Sequence, residues 1–186
     1  MTDTKTAGSS FKTKEIVNAG IFTALMAVCS WISIPTAVPF TLQTFGVFTA
    51  VLVLGGKLGT ISVVVYILLG AAGLPVFASF TGGPGILLGS TGGYIIGFIF
   101  TALIMWAFEK PAAKNAAVRI LSMVLGLAAC YAAGTLWFMV VYGRANGAVS
   151  ILTALGWCVF PFIIPDLVKI GLAFAVSPAI RKAAGI

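Results

Sequence analysis

Pro161-Phe162-Ile163-Ile164-Pro165-Asp166-Leu167-Val168-Lys169 sets an acid and a base three residues apart inside a strongly apolar C-terminal segment. A charged side chain at mid-bilayer costs at least ~2.5–3.5 kcal/mol on insertion scales. If this segment lies in a membrane, something must offset that cost for both Asp166 and Lys169. The composition says that it does lie in one. Of 186 residues, 60% are hydrophobic and only 8% are charged, against about 25% charged in a soluble globular chain. A soluble domain of this size has no interior large enough for so much apolar surface. The expectation is an integral membrane protein, all-α and a single domain, with no room for an appended soluble one.

Working outward, the residues before the stretch belong to the same crossing. From Pro165 to Val176 a helix is only ~18 Å long at 1.5 Å per residue, too short for a ~30 Å hydrocarbon core. The last segment therefore begins near Val149, and the two prolines predict a break between them. Pro165 suits the first position of a helix. Asp166 would then stand in the first turn, where the helix dipole favours a carboxylate. Asp166, Lys169, Ile170 and Ala173 share one helical face. Such a half-helix start is a candidate polar anchor for a small ligand; the alternative is a purely structural ion pair. A ligand bearing both N–H and C=O groups would use both residues.

The remaining segments follow from hydropathy and breakers. Met1 to Glu15 is a polar tail. The apolar run after it has no clear cleavage site and reads as a retained helix, about Ile16 to Ile34. Gly20 and Ala24 within it form a small-xxx-small pair that admits a close neighbour, in this chain or another. After the uncharged turn Pro35–Pro39, a second run spans Phe40 to Gly56, with Gln43 near its entrance facing solvent or ligand. A third covers Leu58 to Gly73.

Leu74 to Gly93 is dense in Gly and Pro yet retains Phe77, Phe80 and Ile86-Leu-Leu88. Irregular backbone beside a membrane is tolerated where protein buries it or it lines a cavity, so the stretch reads as a lid or pocket wall, with a plain surface turn as the alternative. A fourth helix runs from Gly92 to Phe108 with Tyr94 in its first turn. A charged connection spans Glu109 to Arg119, a fifth helix Ile120 to Val141, and a polar turn Tyr142 to Gly147. Phe80 and Tyr94 are candidates to cover the apolar part of a ligand.

The reading is thus a six-transmembrane-helix bundle over 16–182 with a partly broken last segment and a short tail at 183–186. Lys5, Lys12, Lys14, Lys57, Lys110, Lys114, Arg119, Arg181 and Lys182 fall on one side of it and Arg144 alone on the other. Both termini should be cytoplasmic. The net charge of +7 is explained by that asymmetry, and no nucleic acid partner is expected. Cys29, Cys130 and Cys158 stand singly in apolar runs, no CxxC occurs and there is no histidine. They read as small buried hydrophobes, with no metal expected. The glycines form no GxGxxG or phosphate-binding loop, and no internal repeat supports an inverted-repeat carrier.

Four motifs in order, Pro39-Phe-Thr-Leu-Gln43-Thr, Gly73-Leu-Pro-Val-Phe-Ala78, Gly89-Ser-Thr-Gly-Gly-Tyr94 and Pro161-Phe-Ile-Ile-Pro-Asp166-Leu-Val-Lys169, resemble the BioY family. These are the biotin-binding S subunits of energy-coupling-factor (ECF) vitamin importers. The resemblance implies six helices in the cytoplasmic membrane and external capture of biotin. It implies partners, a transmembrane coupling subunit and two ATPase subunits, and no cofactor on this chain. By match it places Asp166 and Lys169 in the biotin site; Tyr94, Gln43, Phe80, Thr91 and Gly92 are the further residues expected to line it. Lys169 would donate to the ureido carbonyl or reach the valerate carboxylate. It gives Gly20 and Ala24 as the surface for the coupling subunit, where the family usually has two alanines. Ser90 stands where a proline is usual and Pro165 where a glycine is usual. Other readings are a stand-alone proton-coupled carrier using Asp166 and an intramembrane enzyme. The latter usually needs paired carboxylates, and Asp166 has no second membrane acid.

Overall fold

A computed structural model describes residues 13–34 and 38–186, and they form a helical bundle. Its first helix, α1 (Thr13–Trp31), leads into a two-residue hairpin, β1 (Ser33–Ile34) paired antiparallel with β2 (Phe40–Thr41). Then come α2 (Gln43–Leu54), α3 (Gly56–Ala71), a single 3-10 turn (Ala78–Phe80) and the short α4 (Pro84–Leu88). The second half holds α5 (Gly92–Ala107), α6 (Glu109–Lys114), α7 (Ala116–Asn146), α8 (Ile151–Cys158) and α9 (Phe160–Ala184). At 31 and 25 residues, α7 and α9 are long and apolar enough to cross a membrane, while α2, α3 and α5 are shorter apolar helices.

Several sequence expectations are corrected. The first helix already includes Thr13, Lys14 and Glu15, which were expected in the polar tail; residues 1–12 lie outside the described residues, as do 35–37 of the Pro35–Pro39 turn. The charged connection after α5 is itself helical, as α6 and the first turn of α7. The polar turn at Tyr142 is absent, because α7 continues to Asn146 and ends at Gly147, φ 92°. The last segment is broken, but at Val159 (φ −127°, ψ −56°) and not between the prolines. From there α9 runs without interruption to Ala184, past the expected end near Val176, with Pro161 in its first turn and Pro165 and Pro178 inside it. Asp166 is therefore six residues beyond the start of α9, outside the first turn where a helix dipole acts.

The packing suits a lipid surround. Ile164 (75% exposed), Val168 and Leu172 line the outer face of α9, while Asp166, Lys169, Ile170 and Ala173 on the same helix are buried. Large apolar side chains are likewise exposed along α1, α5 and α7, and contiguous exposed apolar faces of this kind mark a surface that meets lipid or protein. Inside, α5 lies along α7 at close range. A side chain at Gly134 of α7 would run into the Tyr94 ring, and one at Gly93 of α5 into Trp137. Small residues that let helices approach are what holds such pairs together where lipid is as apolar as the core.

Candidate functional site

The ligand-facing wall starts with the hairpin. Leu42 N–H donates to the carbonyls of Cys29 (3.1 Å) and Ile32 (3.2 Å), tying the end of β2 to α1. Thr41 Oγ1 then accepts from Gln43 N–H (3.2 Å) and donates to Gln43 Oε1 (3.0 Å), which fixes the start of α2. Gln43 Nε2 donates to the Tyr66 hydroxyl (2.6 Å), which donates to the Val76 carbonyl (3.0 Å). One chain of hydrogen bonds thus joins α2, α3 and the glycine-rich loop.

Packing of α9 against α2 brings the acid and base to this wall. Lys169 Nζ donates to Asp166 Oδ1 (2.7 Å) and to the Thr41 carbonyl (2.6 Å), and stands 4.5 Å from the centre of the Phe40 ring. Asp166 Oδ1 also accepts from Thr44 Oγ1 (2.9 Å), and Oδ2 accepts from the Tyr131 hydroxyl of α7 (2.5 Å). Both are buried, at 2% and 4% exposure. Buried ion pairs persist only when the remaining polar capacity is met, and here two hydroxyls, a carbonyl and an aromatic face meet it. This pairing replaces the helix terminus as the charge's support.

Above the pair opens a cavity of about 270 Å³, just below the ~300–1,000 Å³ range of small-molecule sites. One wall is polar, with Asp166, Lys169, Gln43 and Thr44; Phe77, Ile95, Phe98 and Phe162 are among the apolar groups. Of the residues expected from sequence, Asp166, Lys169, Gln43, Thr91 and Tyr94 line it. Tyr94 is anchored to Thr135 Oγ1 (3.0 Å). Phe80 does not: consecutive left-handed φ values at Ser79 (56°) and Phe80 (57°) turn the backbone, and the Phe80 ring, 63% exposed, stacks on Trp31 at 4.8 Å. Phe77, 1% exposed, takes the inner position. Gly92 is also outside the lining; it opens α5, packed against the Leu87 backbone. Tyr131, Thr44 and Thr41 were not singled out from sequence. The signal for Tyr131 was a phenol in the middle of an apolar helix, a group that needs a hydrogen-bond partner when buried.

The loop around the cavity is fastened at several points. Trp31 Nε1 donates to the Pro75 carbonyl (2.8 Å) and Trp137 Nε1 to the Gly89 carbonyl (2.9 Å). Among the described residues there is no cluster of three or more His, Cys, Asp or Glu able to hold a metal. The cavity's chemistry is recognition: a paired acceptor and donor at one end, an apolar sleeve at the other.

A family model described as the BioY family matches residues 2–185. The biotin transporter BioY of Thermotoga maritima is 42% identical over 91% of this chain and 96% of its own length. A probable biotin transporter BioY of Pyrococcus horikoshii is 39% identical, covering 91% and 98%. Among solved structures, the S-component for biotin from an ECF-type ABC transporter superposes with a TM-score of 0.82 at 28% identity, over 93% of this chain and 95% of that one.

Proposed function

This chain belongs to the BioY family, and on that premise we propose that it is the substrate-binding subunit through which an ECF-type importer takes up biotin. It is a membrane transport subunit and not an enzyme; ATP hydrolysis falls to separate ATPase subunits. The observation that carries the reading is the cavity walled by Asp166 and Lys169. The pair is hydrogen-bonded to itself, so both side chains address the same end of a ligand. A ureido ring matches them: Asp166 accepts a ring N–H and Lys169 donates to the ring carbonyl. The thiophane ring and valerate chain then lie against Phe77, Phe98 and Phe162. Gln43, immobilised by Tyr66 and Thr41, keeps the wall in register, and Thr91 and Tyr94 close the opposite side.

Six crossings are read in α1, α2, α3, α5, α7 and the α8–α9 pair, in the cytoplasmic membrane. Lys57, Lys110, Lys114, Arg119 and Lys182 then share the end holding both termini and Arg144 lies at the other, which supports cytoplasmic termini and an outward-facing biotin site. Gly20 and Ala24 are exposed on α1, and a side chain at Gly20 would meet nothing within 4 Å. Among the described residues, then, no neighbouring element buries either of them. Beside it a groove of about 240 Å³, lined by Ala19, Thr23, Leu58, Ile61 and Val65 among others, fits a helix of the coupling subunit.

Uptake of labelled biotin by cells that need it tests the reading. Cells producing this chain with the coupling and ATPase subunits should accumulate biotin. Replacing both Gly20 and Ala24 with Trp should abolish uptake yet leave biotin binding by the purified protein intact. Loss of binding in that variant would show that the two residues serve the internal packing of the bundle instead.

A further inference from the structure

A second cavity, about 330 Å³, opens at the opposite end of the bundle from Asp166. It lies where the end of α2, the start of α3, α6, the first turns of α7 and the last turns of α9 converge. Its apolar lining includes Leu52, Met105 and Phe174, and its charged groups are Glu109, Arg119 and Arg181. Glu109 is already engaged, with Oε1 accepting from the Gly56 N–H at the start of α3 (3.0 Å). Arg119 is held in place: Nε and Nη2 both donate to the Ala112 carbonyl (3.2 Å each), and the guanidinium lies 5.8 Å from the centre of the Phe174 ring. Among the described residues that leaves its Nη1 donors uncommitted. Arg181, at the end of α9, accepts from Ile186 N–H through its backbone carbonyl (3.2 Å), and its guanidinium makes no hydrogen bond or ion pair among the described residues. Among the described residues neither arginine has a carboxylate within ion-pair distance. The buried hydroxyls of Ser122 and Ser177 donate to backbone carbonyls of their own helices, so the guanidinium groups are the donors this cavity offers.

We propose that this cavity holds the phosphate of an anionic phospholipid, with Arg119 and Arg181 as its clamp and an acyl chain on the apolar floor. Planar guanidinium forks match phosphate geometry, and charge-assisted bonds to them are the strong ones. The end of the bundle is the basic one, with Lys57, Lys110, Lys114 and Lys182 on neighbouring turns, where the negative surface of a cytoplasmic leaflet meets the protein. The inference rests on the membrane placement of this end and not on the identity of the transported ligand.

Native mass spectrometry of the purified protein in detergent, titrated with phosphatidylglycerol or with phosphatidylcholine of the same chains, tests it. The parent should retain phosphatidylglycerol in clear preference. Arg181→Gln, which removes no side-chain bond seen among the described residues, should weaken phosphatidylglycerol binding roughly tenfold and leave biotin affinity unchanged, a check that the bundle is intact. Arg144→Gln at the far end should change neither. Equal retention of the two lipids, or a preference that survives Arg181→Gln, would overturn the proposal. So would displacement of phosphatidylglycerol by inorganic phosphate at matched concentration, which would make this a site for a soluble anion. An arginine pair reserved for a carboxylate of another subunit would likewise show no lipid preference.

Discussion

Asp166 and Lys169 stabilise each other, and that mutual dependence is separable from ligand binding. Removing one partner of a buried pair leaves the other charge uncompensated and costs roughly 3–5 kcal/mol, whereas removing both is often neutral. Asp166→Asn and Lys169→Met should each lower the melting temperature of the purified protein by several degrees. The double variant should recover most of that loss while remaining unable to bind biotin; a double variant that binds would make the pair a structural device only. The pair itself was legible in the sequence because two charges in an apolar run stand out. Its supports were not. Tyr131 and Thr44 lie 35 and 122 positions from Asp166, and nothing local marks a hydroxyl for a partner that distant. Phe80 shows the converse failure. It stands three positions after Phe77, but through an irregular turn with left-handed φ no period says which ring faces in.

At the scale of elements, hydropathy located the apolar segments but not their ends. The Gly143-Arg144-Ala145-Asn146 turn continues α7 because polar residues at the end of a long helix need not obey an apolar pattern. The break at Val159 carries neither Gly nor Pro. Its signal was Pro161, which suits the first turn of the helix that follows, while Pro165 is accommodated inside α9. The α5–α7 contact was equally hidden, since it depends on which glycines face each other. Gly134→Val should push the Tyr94 ring from its place. Overpacking costs about 1–3 kcal/mol, so the variant should melt several degrees lower and bind biotin more weakly, whereas Gly20→Ala, in open space, should do neither. Equal effects from both substitutions would mean that the ring contact at Gly134 has no special weight.

The whole molecule is an inside-out assembly, with apolar faces turned outward and a charged pair, hydroxyls and glycines within. Its orientation rests on the distribution of bases, and single cysteines test it in a background whose three native thiols are buried. A membrane-impermeant maleimide applied to intact cells should label Arg144→Cys readily and Lys182→Cys only after permeabilisation; the reverse pattern would invert the topology and place the biotin cavity on the cytoplasmic side. The fold class was legible at this scale because composition alone excludes a soluble core. The ligand was legible only through four motifs shared with a family, since the physics of the pair specifies a donor and an acceptor and no particular molecule. The central claim is that this cavity binds biotin through Asp166 and Lys169. Calorimetric titration of biotin into the purified parent and Asp166→Asn proteins tests it most directly. Saturable binding by the parent, lost in the variant, is the result expected; no binding by the parent, or undiminished binding by the variant, would contradict it.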